Sequence, residues 1–370
     1  MNERSLVLWI GGGLVVATAL AVVAYLVLGG GDDGDAGEGS AAPGGNAASS
    51  LEGGPDEVLY LSGTALVRRN LENDKEKAVG TIETPSVYAS PGSQWVAYVT
   101  SEKVKDDDFA AEPVLHLYDP ETGDESDHGP GVAPVWNATG THVAFLRPVE
   151  PRDCQGETCA GDVQIGVVEA GSDADATLLL DAGKYSILGW AGEWVLVSDF
   201  EDPTQVIAVN LDDDRTVLGM PASQFWDASP DGRWIVKTNA KKTELVSWDG
   251  DELAEERVAV DLGDYQLLEG AWAHDSSRVA AVVGLPGRRG MQETRVVTFS
   301  PEDPELVEVA DSFGATGTVM WAVDNEAVVF ASLLDPKRAL FQAKSCALGN
   351  ESTCEVVTSW TEGVALLRTE

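Results

Sequence analysis

The chain of 370 residues contains 62 Asp and Glu but only 24 Lys and Arg, so its formal net charge is −38. Such acidity excludes the basic surface that binding to nucleic acid or anionic lipid requires, and we expect no nucleic-acid partner. The first 57 residues hold eight acidic residues and one basic residue, which leaves −31 for the remainder. We interpret the acidity as a solubilising surface, with binding of a cation or a basic partner as the alternative.

The N-terminal region has the composition of a membrane anchor. Leu6–Leu28 is a run of 23 residues without a charged side chain, long enough to cross a bilayer as a helix. No small-residue cleavage site or lipid-accepting Cys follows directly, so a single-pass, uncleaved anchor is favoured over a signal peptide. Residues 1–5, with Arg4, then lie in the cytoplasm. Since no Lys or Arg follows until Arg68, the positive-inside rule places the remaining chain outside the cytoplasm, at the cell membrane.

Residues 29–57 are predicted to form a flexible linker. They are dominated by Gly, Ala, Ser and Asp and contain almost no large apolar side chain, so they cannot build a core. As a random coil, such a linker spans about 30 Å root-mean-square.

A strand–turn–strand pattern recurs through the rest of the chain. In Phe225–Val236, Pro230 suits the second position of a turn, Gly232 accepts a positive φ, and an apolar strand follows from Trp234. The apolar strands of the imperfect copies begin at residues 95, 142, 194, 234, 278 and 327, which are 40–52 residues apart. Two further strand-like segments follow each one, and this period is typical of four-stranded propeller blades.

The two ends of the repeat region predict how the ring closes. Val58–Leu61, Ala65–Arg69 and Ala78–Ile82 supply three strands without an inner one, and Gly363–Arg368 supplies one more strand. A composite blade made of these four strands removes the exposed sheet edges of an open ring. We therefore predict an all-β, seven-bladed β-propeller over residues 58–370 that is closed by the C-terminal strand, with six or eight blades as alternatives.

The repeat resembles that of a known family. Ser229–Val236, with Trp226 just before it, is similar to the repeat of TolB-like (WD40-like) β-propellers, and Ser90-Pro91-Gly92 matches it in part. The resemblance covers approximately residues 58–370. It implies the propeller architecture rather than a particular activity.

Aromatic residues precede the turns of successive repeats and are predicted to pack the blades together. These residues are Tyr88, Trp136, Trp190, Trp226, Trp272 and Trp321. An aromatic face for carbohydrate or peptide is the alternative. Trp248 and Trp360 fall outside the repeat and are candidates for exposed contacts.

The four cysteines lie in two local pairs within loops. Four residues separate Cys154 from Cys159, and seven separate Cys346 from Cys354. Local pairs in an exported domain indicate two disulfides, and they support export independently of the charge rule. Zinc is the alternative ligand, although no His lies close in sequence.

No sequence motif of a known catalytic or cofactor site is present. The chain lacks a nucleophile elbow, a phosphate loop, a dinucleotide-binding fingerprint and a zinc-protease motif. Acidic runs at 106–108, 173–175 and 212–214 lack the spaced pattern of a calcium loop and are interpreted as solvated turns. We therefore predict no catalytic residue, no metal site and no cofactor.

The sequence is compatible with three functions. The first is a membrane-anchored, extracytoplasmic β-propeller that binds a protein or an envelope component. The alternative is a propeller enzyme, such as a polysaccharide lyase or hydrolase with a site at the channel mouth, and convergence of His116, His128 or His274 with Arg residues there would favour it. A transmembrane sensor ranks last, because five cytoplasmic residues leave little to transmit with.

Overall fold

A computed structural model describes residues 57–369, with gaps at 63, 71–72, 74, 83–86, 91–94, 104–110, 151–153, 156–157, 160, 213, 240–241, 288–289, 312–314, 323, 336–339, 349–353 and 361–363. Within these residues, no helix combines the length and apolarity that a membrane crossing requires. The predicted anchor, Leu6–Leu28, lies outside the described residues, as does the linker up to residue 56. The first described strand begins at Glu57, where the linker was predicted to end.

The described chain forms seven four-stranded antiparallel sheets, which are the blades of a propeller. Blade 1 contains β1 (Glu57–Ser62), β2 (Ala65–Asn70), β3 (Lys75–Thr81) and β30 (Val364–Thr369). Blade 2 contains β4 (Val87–Ala89), β5 (Val96–Lys103), β6 (Ala111–Tyr118) and β7 (Glu125–Pro130). Blade 3 contains β8 (Val132–Trp136), β9 (His142–Pro148), β12 (Val163–Glu169) and β13 (Thr177–Leu178), with a ribbon of β10 (Cys154–Gln155) and β11 (Thr158–Cys159) inserted after β9.

The remaining four blades follow the same order along the chain. Blade 4 contains β14 (Tyr185–Ala191), β15 (Trp194–Asp199), β16 (Val206–Val209) and β17 (Arg215–Leu218). Blade 5 contains β18 (Phe225–Ala228), β19 (Trp234–Asn239), β20 (Lys242–Trp248) and β21 (Leu253–Val260). Blade 6 contains β22 (Gln266–Trp272), β23 (Val279–Gly287), β24 (Gly290–Phe299) and β25 (Val307–Asp311). Blade 7 contains β26 (Ala315–Trp321), β27 (Ala327–Asp335), β28 (Leu340–Ala347) and β29 (Cys354–Trp360).

The ring closes through a blade built from both ends of the propeller. The C-terminal strand β30 pairs antiparallel with β1, from Ser62 opposite Val364 to Val58 opposite Thr369. One edge strand of every blade, here called its inner strand, contacts the inner strand of the next blade all around the ring. The inner strands are β30, β4, β8, β14, β18, β22 and β26. The predicted composite blade, and with it the count of seven, is confirmed.

The hydrophobic core lies between neighbouring blades. The largest buried cluster joins strands of blades 2, 3 and 4, and Phe145 at its centre has no exposed surface. A Cβ atom at Gly131 or Gly166 would lie 2.7 Å from the ring of Phe145, so both positions require glycine. Blades are therefore held together by side chains that pack against the adjacent sheet.

The turn after the inner strand has a repeated conformation in blades 5, 6 and 7. In blade 5 the N–H of Gly232 donates to the carbonyl of Ser229 at 2.9 Å, and Gly232 has a φ of 74°. Ser276 and Asn325 occupy the same place in blades 6 and 7, with φ of 62° and 61°. Ser276 Oγ accepts the N–H of Asp231 at 2.9 Å, and Asn325 Oδ1 accepts the N–H of His274 at 2.8 Å. These two side chains therefore join the turns of successive blades.

A capped turn separates β6 from the outer strand of blade 2. Asp119 Oδ1 accepts the N–H of Glu121 at 2.7 Å, and Gly123 has a φ of 80°. The outer strand, β7, therefore begins only at Glu125.

The structure contains a disulfide between Cys346 in β28 and Cys354 in β29, whose Cα atoms lie 4.1 Å apart. Cys159 is also disulfide-bonded, and it lies opposite Cys154 in the ribbon of blade 3. Both cysteine pairs therefore connect adjacent antiparallel strands rather than separate blades.

Candidate functional site

Four of the predicted packing residues occupy one structural position, near the end of the inner strand and just before the turn. Trp136, Trp190, Trp272 and Trp321 lie opposite valines of the next strand in the same way. We call this place the indole position. In blades 2 and 5 it is held by Ala89 and Ala228.

The indoles at this position join one blade to the previous one. Trp136 Nε1 donates to the carbonyl of Tyr88, Trp190 Nε1 to that of Val135, and Trp321 Nε1 to that of Ala271, each at 2.9 Å. In every case the acceptor lies one residue before the indole position of the preceding blade. The tryptophans are at most 8% exposed, so they form an inter-blade relay rather than an open aromatic face.

Tyr88 and Trp226 precede the indole position by one and two residues. Tyr88 supplies a backbone acceptor to the relay and packs against the core of blades 2 to 4. Trp226 packs instead on the next blade, where a Cβ atom at Gly270 would lie 2.6 Å from its ring. Trp248, considered for exposed contacts, is 4% exposed and lies edge-on to Trp194. The expectation for Trp248 was therefore wrong, while the side chain of Trp360 lies outside the described part.

A cavity of about 340 Å³ opens where the turns after the inner strands converge. Six of the seven blades contribute to its wall, which is mostly apolar. The wall includes Leu188, Trp190, Asp227, Trp272, His274 and Met320. Mostly apolar cavities with a few convergent polar groups are the usual form of a binding site. We call this cavity the channel mouth.

Asp227 is the acidic group of the channel mouth. It lies in the inner strand of blade 5, and its Oδ1 accepts the N–H of Ala228 at 2.8 Å. Although the residue retains some accessible surface, the surrounding protein displaces enough water to raise the pKa of its carboxyl group to about 7. Desolvation of the charged form is the cause, and the hydrogen bond from Ala228 lowers the pKa only in part. Neither Lys nor Arg occurs among the described lining residues.

Trp272 breaks the relay beside this carboxyl group. The equivalent tryptophans each donate to the carbonyl of the residue just before the indole position in the preceding blade. For Trp272, that residue is Asp227. Instead, Trp272 Nε1 is buried and has no hydrogen-bond partner in the described structure. A buried donor without an acceptor is costly, so the link between blades 5 and 6 is weaker here, beside the carboxyl group, than at the other indole positions.

The histidines do not converge at the channel mouth. Only His274 lines it. His116 lies in β6 of blade 2, stacked on Tyr98, with Nε2 2.9 Å from Thr100 Oγ1 and Nδ1 3.3 Å from Glu125 Oε1. This arrangement of hydroxyl, imidazole and carboxylate groups resembles a catalytic triad. It lies within the sheet of blade 2, however, and does not line the channel mouth. His128 and His142 contact Ser126 and Thr141 elsewhere in blades 2 and 3.

The acidic runs behave as turns where the structure describes them. The N–H groups of Asp212 and Asp214 donate to Asn210 Oδ1, as in a capped turn. In the ranges that the structure describes, no three His, Cys, Asp or Glu side chains are grouped for metal binding. The run at 106–108 lies outside those ranges. Asn137 is similarly a turn residue, since its Oδ1 accepts the N–H groups of Thr141 and His142.

Comparison with solved structures identifies the fold. Oligogalacturonate lyase from Vibrio parahaemolyticus is 12% identical, with a TM-score of 0.54 over 80% of this chain and 88% of the lyase. A putative 6-phosphogluconolactonase from Bacteroides fragilis is 12% identical, with a TM-score of 0.52 over 85% and 98% of the two chains. TolB from Acinetobacter baumannii is also 12% identical, with a TM-score of 0.48, and the match covers 84% of this chain but 66% of TolB. No protein-family model and no curated protein sequence matches the chain.

The chain is thus a seven-bladed β-propeller, and the architecture implied by its TolB-like repeat is confirmed. Identities of 12% establish the fold alone, because proteins that share a fold can differ in function. Function must therefore be argued from the channel mouth.

Proposed function

We propose that the protein is an interaction module, anchored in the cell membrane by Leu6–Leu28, whose propeller lies outside the cytoplasm and binds a protein or envelope component at the channel mouth. The observation that carries this proposal is the cavity itself. Six blades contribute to an apolar wall that contains one desolvated carboxyl group, Asp227. A wall held by packed blades is preorganised, which reduces the cost of ordering a binding surface.

The enzyme alternative lacks a comparable observation. It required histidines and arginines to converge on the channel, and the described wall contains His274 without Arg. The triad-like group around His116 lies within the sheet of blade 2 and does not line the channel mouth. The interaction module is therefore the function that the geometry supports best.

Site-specific crosslinking in the intact membrane tests the binding face. We expect a photoreactive phenylalanine analogue at Ala138 or His274, both on the channel mouth, to form a discrete crosslinked adduct. The same analogue at Leu178, an exposed residue of the outer strand of blade 3, serves as the control and should form none. Equal adducts from Leu178 and from the channel-mouth residues, or adducts from Leu178 alone, would place the binding face elsewhere.

The membrane topology makes a separate prediction. An alkaline phosphatase fused after Ser50 should be active, because this enzyme requires an oxidising compartment and the charge distribution places residue 50 outside the cytoplasm. A β-galactosidase fused at the same residue should be inactive. Activity of the second reporter and inactivity of the first would show the opposite orientation.

A further inference from the structure

We propose that the channel mouth receives a Lys or Arg side chain of the partner polypeptide, and that its cationic group pairs with the carboxylate of Asp227. This inference rests on the proposed function and adds to it the chemistry of the partner.

The first support is the unneutralised carboxyl group. A carboxylate offers about four acceptor sites, and Asp227 uses one of them for the N–H of Ala228. Buried charges in proteins are normally paired, because an isolated charge in an apolar site is costly. No Lys or Arg of the described wall provides that partner. An ammonium or guanidinium group on an apolar stem fits both the carboxylate and the apolar wall around it.

The second support is independent of charge. The wall around Asp227 is mostly apolar and includes Leu188 and Met320. An apolar wall of this kind packs against the methylene stem of a Lys or Arg side chain while the cationic head reaches the carboxylate.

The third support is the field of the whole propeller. The region after residue 57 carries a formal charge of −31. Such a field attracts basic partners and raises their rate of association. The long-range field and the local carboxylate therefore favour the same class of ligand.

The affinity should depend on pH through Asp227. The titratable groups on the elements around β18 are Tyr185 on β14, Lys237 on β19, Glu269 on β22 and His274 in the turn after β22. A bound cation favours the ionised carboxylate, so binding releases a proton wherever the free protein holds Asp227 protonated. With a pKa of about 7 in the free protein, affinity should rise about tenfold between pH 6 and pH 8.

Calorimetry on the full-length protein in detergent tests the inference. The probes are three acetylated and amidated seven-residue peptides that differ only at the centre, which holds Lys, Arg or norleucine. At pH 8 and 0.15 M salt, we expect the Lys and Arg peptides to bind at least about tenfold more tightly than the norleucine peptide. Asp227→Asn should abolish this difference.

Glu269→Gln is the matched control. Burial also raises the pKa of Glu269, but this residue is not part of the cavity wall, and both variants remove one negative charge. We expect Glu269→Gln to bind all three peptides as the unmodified protein does. Asp227→Asn removes the cost of a buried charge, so its melting temperature at pH 8 should equal or exceed that of the unmodified protein.

Three results would overturn the inference. Equal binding of the norleucine and Lys peptides would make the channel mouth an apolar site and leave the proposed function intact. Equal weakening by Asp227→Asn and Glu269→Gln would assign the effect to the overall charge. Absence of binding by all three peptides would exclude a basic side chain as the ligand, while crosslinking at Ala138 and His274 reports separately on the proposed function.

Discussion

Truncation after Glu362 should open the propeller. The truncated chain lacks β30, so β1 loses its antiparallel partner from Val58 to Ser62, and the inner strands β4 and β26 lose the strand between them. The loss combines a full set of ladder hydrogen bonds with an exposed sheet edge and a broken ring. It is comparable to the entire net stability of a typical domain, about 5–15 kcal/mol. We expect aggregation, or a melting temperature about 10 °C lower or more, in thermal unfolding followed by circular dichroism.

Deletion of residues 1–56 provides the contrast. This segment precedes the first described strand, so we expect its removal to leave the melting temperature of the propeller nearly unchanged. If the truncation after Glu362 melts like the full-length chain, β30 is not needed for closure and the composite blade does not stabilise the ring.

Gly270→Ala should destabilise the interface between blades 5 and 6. Gly270 lies in β22 opposite Ala281, and an added Cβ would lie 2.3 Å from the carbonyl oxygen of Ala280 and 2.6 Å from the ring of Trp226. The first contact is with backbone, which cannot move without disturbing the strand pairing. We expect a loss of about 3 kcal/mol of unfolding free energy, measured by denaturant titration.

Gly219→Ala is the matched control for this substitution. No heavy atom lies within 4 Å of a Cβ built at Gly219, and its φ is outside the left-handed region. Alanine there should be neutral or stabilise the protein by up to about 1 kcal/mol, since it restricts the unfolded chain. Equal effects of the two substitutions would show that Trp226 and the backbone of β23 yield readily, contrary to close packing at Gly270.

The architecture was predictable because each blade repeats a local pattern. The turn at Ser229–Gly232 follows from residue chemistry alone, and its left-handed glycine is observed where expected. Closure was predictable as well, since the three N-terminal strands lack an inner strand and Gly363–Arg368 has the pattern of one. These signals are short-range, so a single sequence contains them.

The channel mouth could not be predicted in the same way. In the sequence the aromatic residues can be aligned only by residue type. Strand register shows that Trp226 lies two residues before the indole position, in a part of β18 where the pairing shifts. Asp227 was missed for a related reason. A lone acidic residue in the apolar segment Phe225–Ala228 was the available signal, but its burial depends on blades that are distant in sequence. Register shifts and inter-blade contacts are properties of the assembled ring.

The interrupted tryptophan relay has a mechanical consequence. Indole hydrogen bonds tie blades 2, 3 and 4 into one arc and blades 6 and 7 into another. Blade 5 has Ala228 in place of an indole, and Trp272 donates no hydrogen bond to it. Near the channel mouth, blade 5 is joined to blade 6 by the hydrogen bond from the N–H of Asp231 to Ser276 and by the packing of Trp226. These hydrogen bonds therefore stiffen the ring unevenly, and Asp227 lies on a blade that neither arc includes. Tension exerted on that carboxylate by a tethered partner would act directly on blade 5, while the two arcs keep their shape.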